Sequence, residues 1–268
     1  MREMRLSRGL RHSLSGAAAA LALTAAAVAP TPPPIRAAGE TATRTAAWLP
    51  QPRPAYPGGP RAPLNRWLAA GERASQTLPR AHPRVLFIGD SITQWWGYWG
   101  RATWNRVFAP LGAYDDGVVG DTTSNVLARI EAGQLPPPGA APPVVVLLIG
   151  TNDIGAGQPP SSVARGIEAV VAALQRDLPR SRIVVLGVLP RGVPGSGDRA
   201  AVAAVNAMLR GDRAPGLTYL DLAATLLRPD GSFRPGTMRP DLLHPAAGGY
   251  AGMAGPILAA VEEDLRGR

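Results

Sequence analysis

The sequence contains no cysteine and no lysine, and it has only three histidines, His12, His82 and His244, among 268 residues. The absence of cysteine excludes a disulfide scaffold, a thiolate metal site and a cysteine nucleophile. Three scattered histidines argue against a zinc site built on several imidazoles. The sequence also lacks an apolar run of about 20 residues, which is the length that a membrane-spanning helix requires.

The first 38 residues have the order of an export signal. Four arginines precede an uncharged apolar run, Ala17 to Ala29, and small residues follow near Ala38. This order predicts a cleaved signal peptide over 1–38, with an uncleaved anchor as the alternative. The mature protein is then expected to be periplasmic or extracellular, without stable membrane insertion.

Cleavage after Ala38 would remove five arginines and one glutamate and lower the net charge from +9 to +5. No cluster of basic residues interleaved with aromatic residues survives in the remainder. Nucleic acid is therefore not expected as a partner. The ten prolines between Pro30 and Pro63 disfavour both helix and central strand, so an extended linker is predicted over 39–63.

The remaining residues, 64–268, are predicted to form one domain. A first helix is predicted over 64–78, and after it short apolar runs alternate with segments of helical period, which is the pattern of a parallel sheet covered on both faces. The third run, Val-Val-Val-Leu-Leu-Ile, shows no alternation and should form the central strand. The pattern predicts a doubly wound α/β domain with five strands, over 84–88, 114–119, 144–149, 183–188 and 217–220.

Polar residues follow several of these strands at the edge where open α/β sheets carry their sites. Ser91 follows the first strand at the start of a helix and is the candidate nucleophile. A hydroxyl needs a base to take its proton, and His244 is the candidate for that role. Asp241 lies three residues earlier, a spacing at which a carboxylate reaches Nδ1 of the imidazole. Alternatively, Asp241 caps a turn or pairs with Arg239.

An acyl-transfer site also needs donors for the oxyanion of the tetrahedral intermediate. The backbone N–H groups of Ser91 and Gly120 and the side-chain amide of Asn152 are the candidates. Glycine suits position 120, because a Cβ there would crowd the approaching oxygen. These residues together predict acyl transfer through a serine nucleophile.

Four segments of the chain resemble, in the same order, the four motif blocks of the SGNH (GDSL-type) hydrolases. They are Gly-Asp-Ser-Ile at 89–92, Gly120, Gly-Thr-Asn-Asp at 150–153 and Asp-Leu-Leu-His at 241–244. Within that superfamily the chain is most similar to the catalytic α-subunit-like esterases of platelet-activating factor acetylhydrolase. The resemblance spans about residues 64–265.

The resemblance implies a flavodoxin-like three-layer α/β/α sandwich and a serine esterase that uses neither a metal nor another cofactor. By the same resemblance Ser91, Asp241 and His244 form the catalytic triad, and Gly120 and Asn152 complete the oxyanion hole. It implies short acyl esters as substrates. The catalytic subunits of the resembled enzyme form dimers, which makes a homodimer an option here.

The remaining polar and aromatic candidates can also be explained by structural roles. Trp95 and Trp96 are expected to line the substrate site or to pack in the core. Asp153 is expected to close a turn, with the orientation of a catalytic loop as the alternative. Structural or surface roles are expected for three further residues, namely Asp90, Asp121 and Arg191.

The leading functional hypothesis is an exported serine esterase that removes acetyl or another short acyl group from a small-molecule, glycan or lipid ester. One alternative uses the same triad as a carbohydrate or peptidoglycan O-acetyl esterase or as an acetyltransferase. Another is a non-catalytic envelope module that binds sugars on its tryptophans. The intact set of Ser91, Asp241 and His244 argues against the binding module.

Overall fold

The computed structural model describes residues 47, 49, 77, 78, 81–211 and 215–267, except for the side chain of residue 138. The predicted signal peptide, nearly all of the predicted linker and most of the predicted helix over 64–78 lie outside this part of the chain. The last two residues of that helix, Thr77 and Leu78, are helical.

Five parallel strands form one sheet in the order β2-β1-β3-β4-β5. The central strand is β3, as the unbroken apolar run predicts. The chain leaves β1 for β2 on one side and returns to β3 on the other, so the direction of winding changes between β1 and β3. The strands are β1 (Val85–Gly89), β2 (Ala113–Gly117), β3 (Val144–Leu148), β4 (Arg182–Leu186) and β5 (Leu217–Leu220).

Helices cover both faces of the sheet, which confirms the predicted three-layer α/β/α architecture. No helix in the described ranges is both long and apolar enough to cross a membrane. The helices are α1 (Ser91–Gln94), α2 (Arg101–Val107), α3 (Thr123–Glu131), α4 (Thr151–Gly155), α5 (Pro160–Asp177), α6 (Gly197–Leu209), α7 (Ala223–Leu226) and α8 (Ala247–Arg266).

The core consists of two apolar layers, one on each face of the sheet. Alternate residues of β3 enter different layers: Val145 and Leu147 pack with α3, α5 and α6, whereas Val144 and Val146 pack with α1 and α8. All four side chains are buried. Burial on both faces explains why this strand is apolar at every position.

Two strands end two residues earlier than their apolar runs predict. The expected strand over 114–119 stops at Gly117: the N–H of Val118 still bonds to the carbonyl of Gly89, but the chain then turns, with the N–H of Asp121 bonding to the carbonyl of Val118. The expected strand over 183–188 stops at Leu186. There the N–H and C=O of Val188 bond to the side chain of Asn206 in α6, at 2.8 and 2.9 Å.

Candidate active site

The turn from β1 into α1 brings Ser91 to the carboxyl edge of the sheet. A Cβ at Gly89 would overlap the carbonyl oxygen of Leu148 and the hydroxyl of Thr93, so only glycine permits so close a turn. Asp90 caps α1, and its Oδ1 accepts the N–H of Ile92 at 2.8 Å. Ser91 is therefore held at the first position of the helix, with 4% of its surface exposed.

The cap residue Asp90 is itself an unusual carboxyl group. Burial raises its pKa to about 7, although the hydrogen bond from Ile92 lowers it, and the nearby charges of Asp121 and Asp153 add to the rise. Its Oδ2 makes no hydrogen bond within the described part of the chain. The structural role expected for Asp90 fits this position beneath the nucleophile.

His244 and Asp241 belong to a tight loop that ends just before α8. Oδ1 of Asp241 accepts the backbone N–H groups of Leu243 and His244, at 3.0 and 2.9 Å. Leu242 has a φ of 51°, a left-handed conformation that is uncommon for a branched residue, and its carbonyl accepts the N–H of Gly192 at 2.8 Å. This backbone network fixes where the Asp241 and His244 side chains lie.

The structure brings Ser91, His244 and Asp241 into one hydrogen-bonded chain. Oγ of Ser91 lies 3.0 Å from Nε2 of His244, and Nδ1 of His244 lies 2.9 Å from Oδ2 of Asp241. A carboxylate only accepts, so Nδ1 carries the proton and Nε2 is left to accept the Ser91 O–H. This arrangement can deprotonate the hydroxyl during nucleophilic attack.

The surroundings of Asp241 favour its ionised form. Partial burial raises its pKa, but the backbone N–H groups of His244 and Leu243 and the imidazole outweigh that effect and hold the pKa below its ordinary value. The sequence left open whether Asp241 pairs with Arg239. Nε of Arg239 is 3.8 Å from Oδ2 of Asp241, a longer contact than the hydrogen bond to His244.

Gly120 lies on the loop that follows β2, and Asn152 lies in α4, just after β3, at the same edge of the sheet as Ser91. Gly120 adopts a φ of 79°, which favours glycine. Nδ2 of Asn152 donates to the carbonyl of Asp121 at 2.8 Å, and this bond fixes the orientation of the amide. An amide nitrogen has a second hydrogen with which it can donate to another acceptor.

The expectation that Asp153 merely closes a turn is wrong. Its Oδ2 accepts the backbone N–H of Thr123 at 3.0 Å, and its Oδ1 accepts the Thr123 hydroxyl at 2.7 Å, so it joins α4 to α3. Burial raises the pKa of Asp153 to about 6, although both bonds from Thr123 lower it. Asp153 thereby orients the helix turn that carries Asn152, which is the alternative that the sequence left open.

The expectation of a surface arginine at position 191 is also wrong. Nη1 of Arg191 donates to the carbonyl of Thr151 at 2.7 Å, and Nε pairs with Asp198 at 2.8 Å. The side chain is only 16% exposed and braces the start of α4. A charged side chain that binds a backbone carbonyl across the fold leaves no signal in local sequence.

Asp121 has the structural role expected of it, through a buried ion pair. Oδ2 of Asp121 accepts from Nε of Arg129 at 3.0 Å, and Nη1 of the same guanidinium donates to Asp116 at 2.8 Å. All three side chains are buried. The pair holds the loop whose carbonyl orients Asn152.

The two adjacent tryptophans have different roles. Of the two alternatives that the sequence left open for Trp96, the structure shows the core: it is 2% exposed and packs against Phe87, Phe108 and Tyr250. Trp95 lies against the site instead. Its ring centre is 4.1 Å from that of the His244 imidazole, and the two planes are inclined by 32°.

Residues 87–251 match the model of the GDSL-like lipase/acylhydrolase family. The chain belongs to this family. It is 34% identical over 195 residues to platelet-activating factor acetylhydrolase IB subunit alpha2 of Gallus gallus, a match that covers 72% of this chain and 82% of the relative. Family membership and this relative make the protein a carboxylic ester hydrolase.

Solved structures of related enzymes confirm the SGNH hydrolase fold. A GDSL-like lipase from Bacteroides thetaiotaomicron superposes with a TM-score of 0.58 at 20% identity and covers 74% of this chain and 97% of its own. A catalytic mutant of an acetylxylan esterase from Geobacillus stearothermophilus gives a TM-score of 0.53 at 17% identity, over 66% and 93% of the two chains. At these identities the structures establish the shared fold alone.

The described ranges contain no group of three or more histidine, aspartate or glutamate side chains placed to hold a metal ion. For Arg239 the sequence indicates only a possible ion pair with Asp241. Its position against Trp95 and Trp99 is a finding of the structure.

Proposed function

We propose that this family member hydrolyses short acyl esters through a Ser91–His244–Asp241 triad and an acyl-enzyme intermediate. The observation that carries the proposal is the hydrogen-bonded chain with steps of 3.0 and 2.9 Å. His244 takes the hydroxyl proton as Ser91 Oγ attacks the ester carbonyl, and it then gives that proton to the departing alcohol. Asp241 stabilises the imidazolium that forms between these two transfers.

The oxyanion of the tetrahedral intermediate is proposed to receive three hydrogen bonds. The donors are the backbone N–H groups of Ser91 and Gly120 and the second N–H of the Asn152 amide. Asp153 and Arg191 support this arrangement because they hold α4, the helix that carries Asn152: Asp153 joins it to Thr123 of α3, and Arg191 binds the carbonyl of Thr151. Donors that are fixed before the reaction need no reorganisation when charge develops on the oxygen.

Water then hydrolyses the acyl-enzyme, with His244 as the base that activates it. A short acyl group is proposed for two reasons. Ser91 is 4% exposed, so only a small part of the nucleophile can be reached from solvent. The Gallus gallus relative is also named as an acetylhydrolase. A homodimer stays a prediction of the resemblance.

Labelling with a fluorophosphonate and a chain-length series test this proposal together. We expect one covalent adduct, located at Ser91 by peptide mass spectrometry. We also expect kcat/KM to fall about tenfold or more from p-nitrophenyl acetate to the hexanoate, because overpacking a closed site costs about 1–3 kcal/mol. An adduct elsewhere contradicts the triad, and rates that rise with chain length contradict the short-acyl preference.

We further propose that the protein is exported and acts in the periplasm or outside the cell. The order of charged, apolar and small residues over 1–38 supports this proposal. Expression of the full chain in a bacterial host should yield mature protein outside the cytoplasm, with an intact mass that lacks about these 38 residues. A variant that starts at residue 39 is the control and should stay in the cytoplasm. Full-length protein retained in the cytoplasm contradicts export.

A further inference from the structure

The guanidinium group of Arg239 lies one aromatic ring away from the imidazole of His244. Its Cζ is 4.1 Å from the ring centre of Trp99 and 5.8 Å from that of Trp95, and Trp95 in turn stacks on His244. Both contacts fall within the range of a cation–π interaction. The backbone N–H of Arg239 donates to the carbonyl of His244 at 2.9 Å. Arg239 is thus tied to the catalytic loop by its backbone and to Trp95 and Trp99 by its guanidinium.

The hydrogen-bonding capacity of this guanidinium is not used up. The carboxylate beside it, Asp241, lies 3.8 Å from Nε, and Asp241 already accepts from Nδ1 of His244 and from two backbone N–H groups. Nε of Arg239 is buried and makes no hydrogen bond to any residue that the structure describes. Because 29% of the side chain is nevertheless exposed, an anion from solvent can approach the Nη side of the guanidinium.

A groove runs beside this arginine. Among the residues that the structure describes, the groove is lined by Trp95, Gly97, Tyr98, Trp99 and Arg101. Tyr98 is 71% exposed and Trp99 is 47% exposed, so aromatic surface is accessible next to the site. Arg101 is the one charged residue in that described lining, which contains no carboxylate. The groove therefore combines aromatic surface with positive charge.

We propose that this groove receives the alcohol part of the ester and that Arg239 binds a negatively charged group, a phosphate or a carboxylate, on that alcohol. The inference rests on the proposed ester hydrolysis. Arginine suits either anion because its planar fork can donate two parallel hydrogen bonds. A quaternary ammonium group would also be attracted to tryptophan, but here the cation of Arg239 already contacts Trp99 and repels it.

Three acetyl esters that differ only in one distal group test the proposal. They are 4-acetoxybenzoate, 4-acetoxyphenyl phosphate and the uncharged 4-acetoxybenzamide. One charge-assisted contact of about 1.4 kcal/mol should make kcat/KM about tenfold higher for an anionic ester than for the amide. Arg239→Gln should reduce this ratio to about one, whereas Arg239→Lys, which keeps the charge, should retain part of it. A higher ratio for the carboxylate or the phosphate identifies which anion the site prefers.

The matched control is Arg266→Gln, which removes the same charge at the far end of α8. That helix begins three residues after His244 and, with 20 residues, is about 30 Å long. The control should keep the wild-type ratio, and added salt should lower the ratio in the wild type. Equal ratios in wild type and Arg239→Gln overturn the proposal. So does an equal loss on all three esters, which would make Arg239 only a support for Asp241. If the wild type cleaves none of the three esters, both the proposed hydrolysis and this inference are wrong.

Discussion

Replacing Ser91 by alanine is expected to lower kcat/KM for p-nitrophenyl acetate by about 10⁴- to 10⁶-fold. The mutation removes the oxygen that lies 3.0 Å from Nε2 of His244, and with it the acyl-enzyme route. Deleting one small buried hydroxyl leaves the packing of β1 and α1 intact, so the variant should fold normally. Initial rates and fluorophosphonate labelling measure the loss of activity, and circular dichroism of the same preparation measures folding.

The matched control for this prediction is Ser181→Ala. Ser181 directly precedes β4, at the amino edge of the parallel sheet, and its hydroxyl donates to the carbonyl of Pro142 at 2.6 Å. The site lies at the opposite, carboxyl edge. Wild-type rates are therefore expected for the control. A Ser91→Ala variant that keeps more than about a tenth of the wild-type rate would show that another group attacks the ester.

Strands whose side chains are all buried could be predicted from the sequence, because every residue in them is apolar. β1 and β3 have neighbours on both sides and helices on both faces, so their sequences are apolar without interruption. The ends of β2 and β4 were not predictable, because the valines that follow them are as apolar as the strand. At Val188 a side chain of α6 replaces the neighbouring strand as hydrogen-bonding partner. A partner that distant in sequence has no local signature.

The site residues that belong to motifs could be predicted from the sequence. Ser91 and His244 are 153 residues apart, yet each follows a feature that places it at the carboxyl edge of the sheet. The roles of Trp95 and Trp96 could not be separated. Neighbouring residues in a helical turn point about 100° apart, and only the position of the turn on β1 decides which ring enters the core.

The long arginine side chains were the least predictable part of the site. Arg191 spans from the loop after β4 to the carbonyl of Thr151, and Arg239 reaches back over Trp99. An arginine side chain can contact several elements, and its partner depends on tertiary packing. Sequence alone therefore favoured a surface role for Arg191, and it left open only a pairing with Asp241 for Arg239.

Replacing Asp241 by asparagine is expected to lower kcat by about 10⁴-fold with little change in folding. The Asn carbonyl can still accept the N–H groups of Leu243 and His244, which Oδ1 of Asp241 accepts now, so the loop is preserved. The amide nitrogen, however, would donate to Nδ1 of His244. The imidazole would then carry its proton on Nε2 and could not accept the proton of Ser91.

The loss of kcat in this variant is expected not to depend on pH over the neutral and alkaline range. Hydrogen bonds hold the pKa of Asp241 below its ordinary value, so the carboxylate is fully ionised at neutral and alkaline pH. Its contribution to stability is lost only when the pH falls through that lowered pKa. The loss of kcat should therefore persist throughout neutral and alkaline pH. The control is Asp177→Asn, the same change in an exposed ion pair with Arg176, which should keep kcat within about twofold. An Asp241→Asn variant that recovers wild-type kcat at high pH would contradict the assignment of Asp241 as the residue that fixes the tautomer of His244.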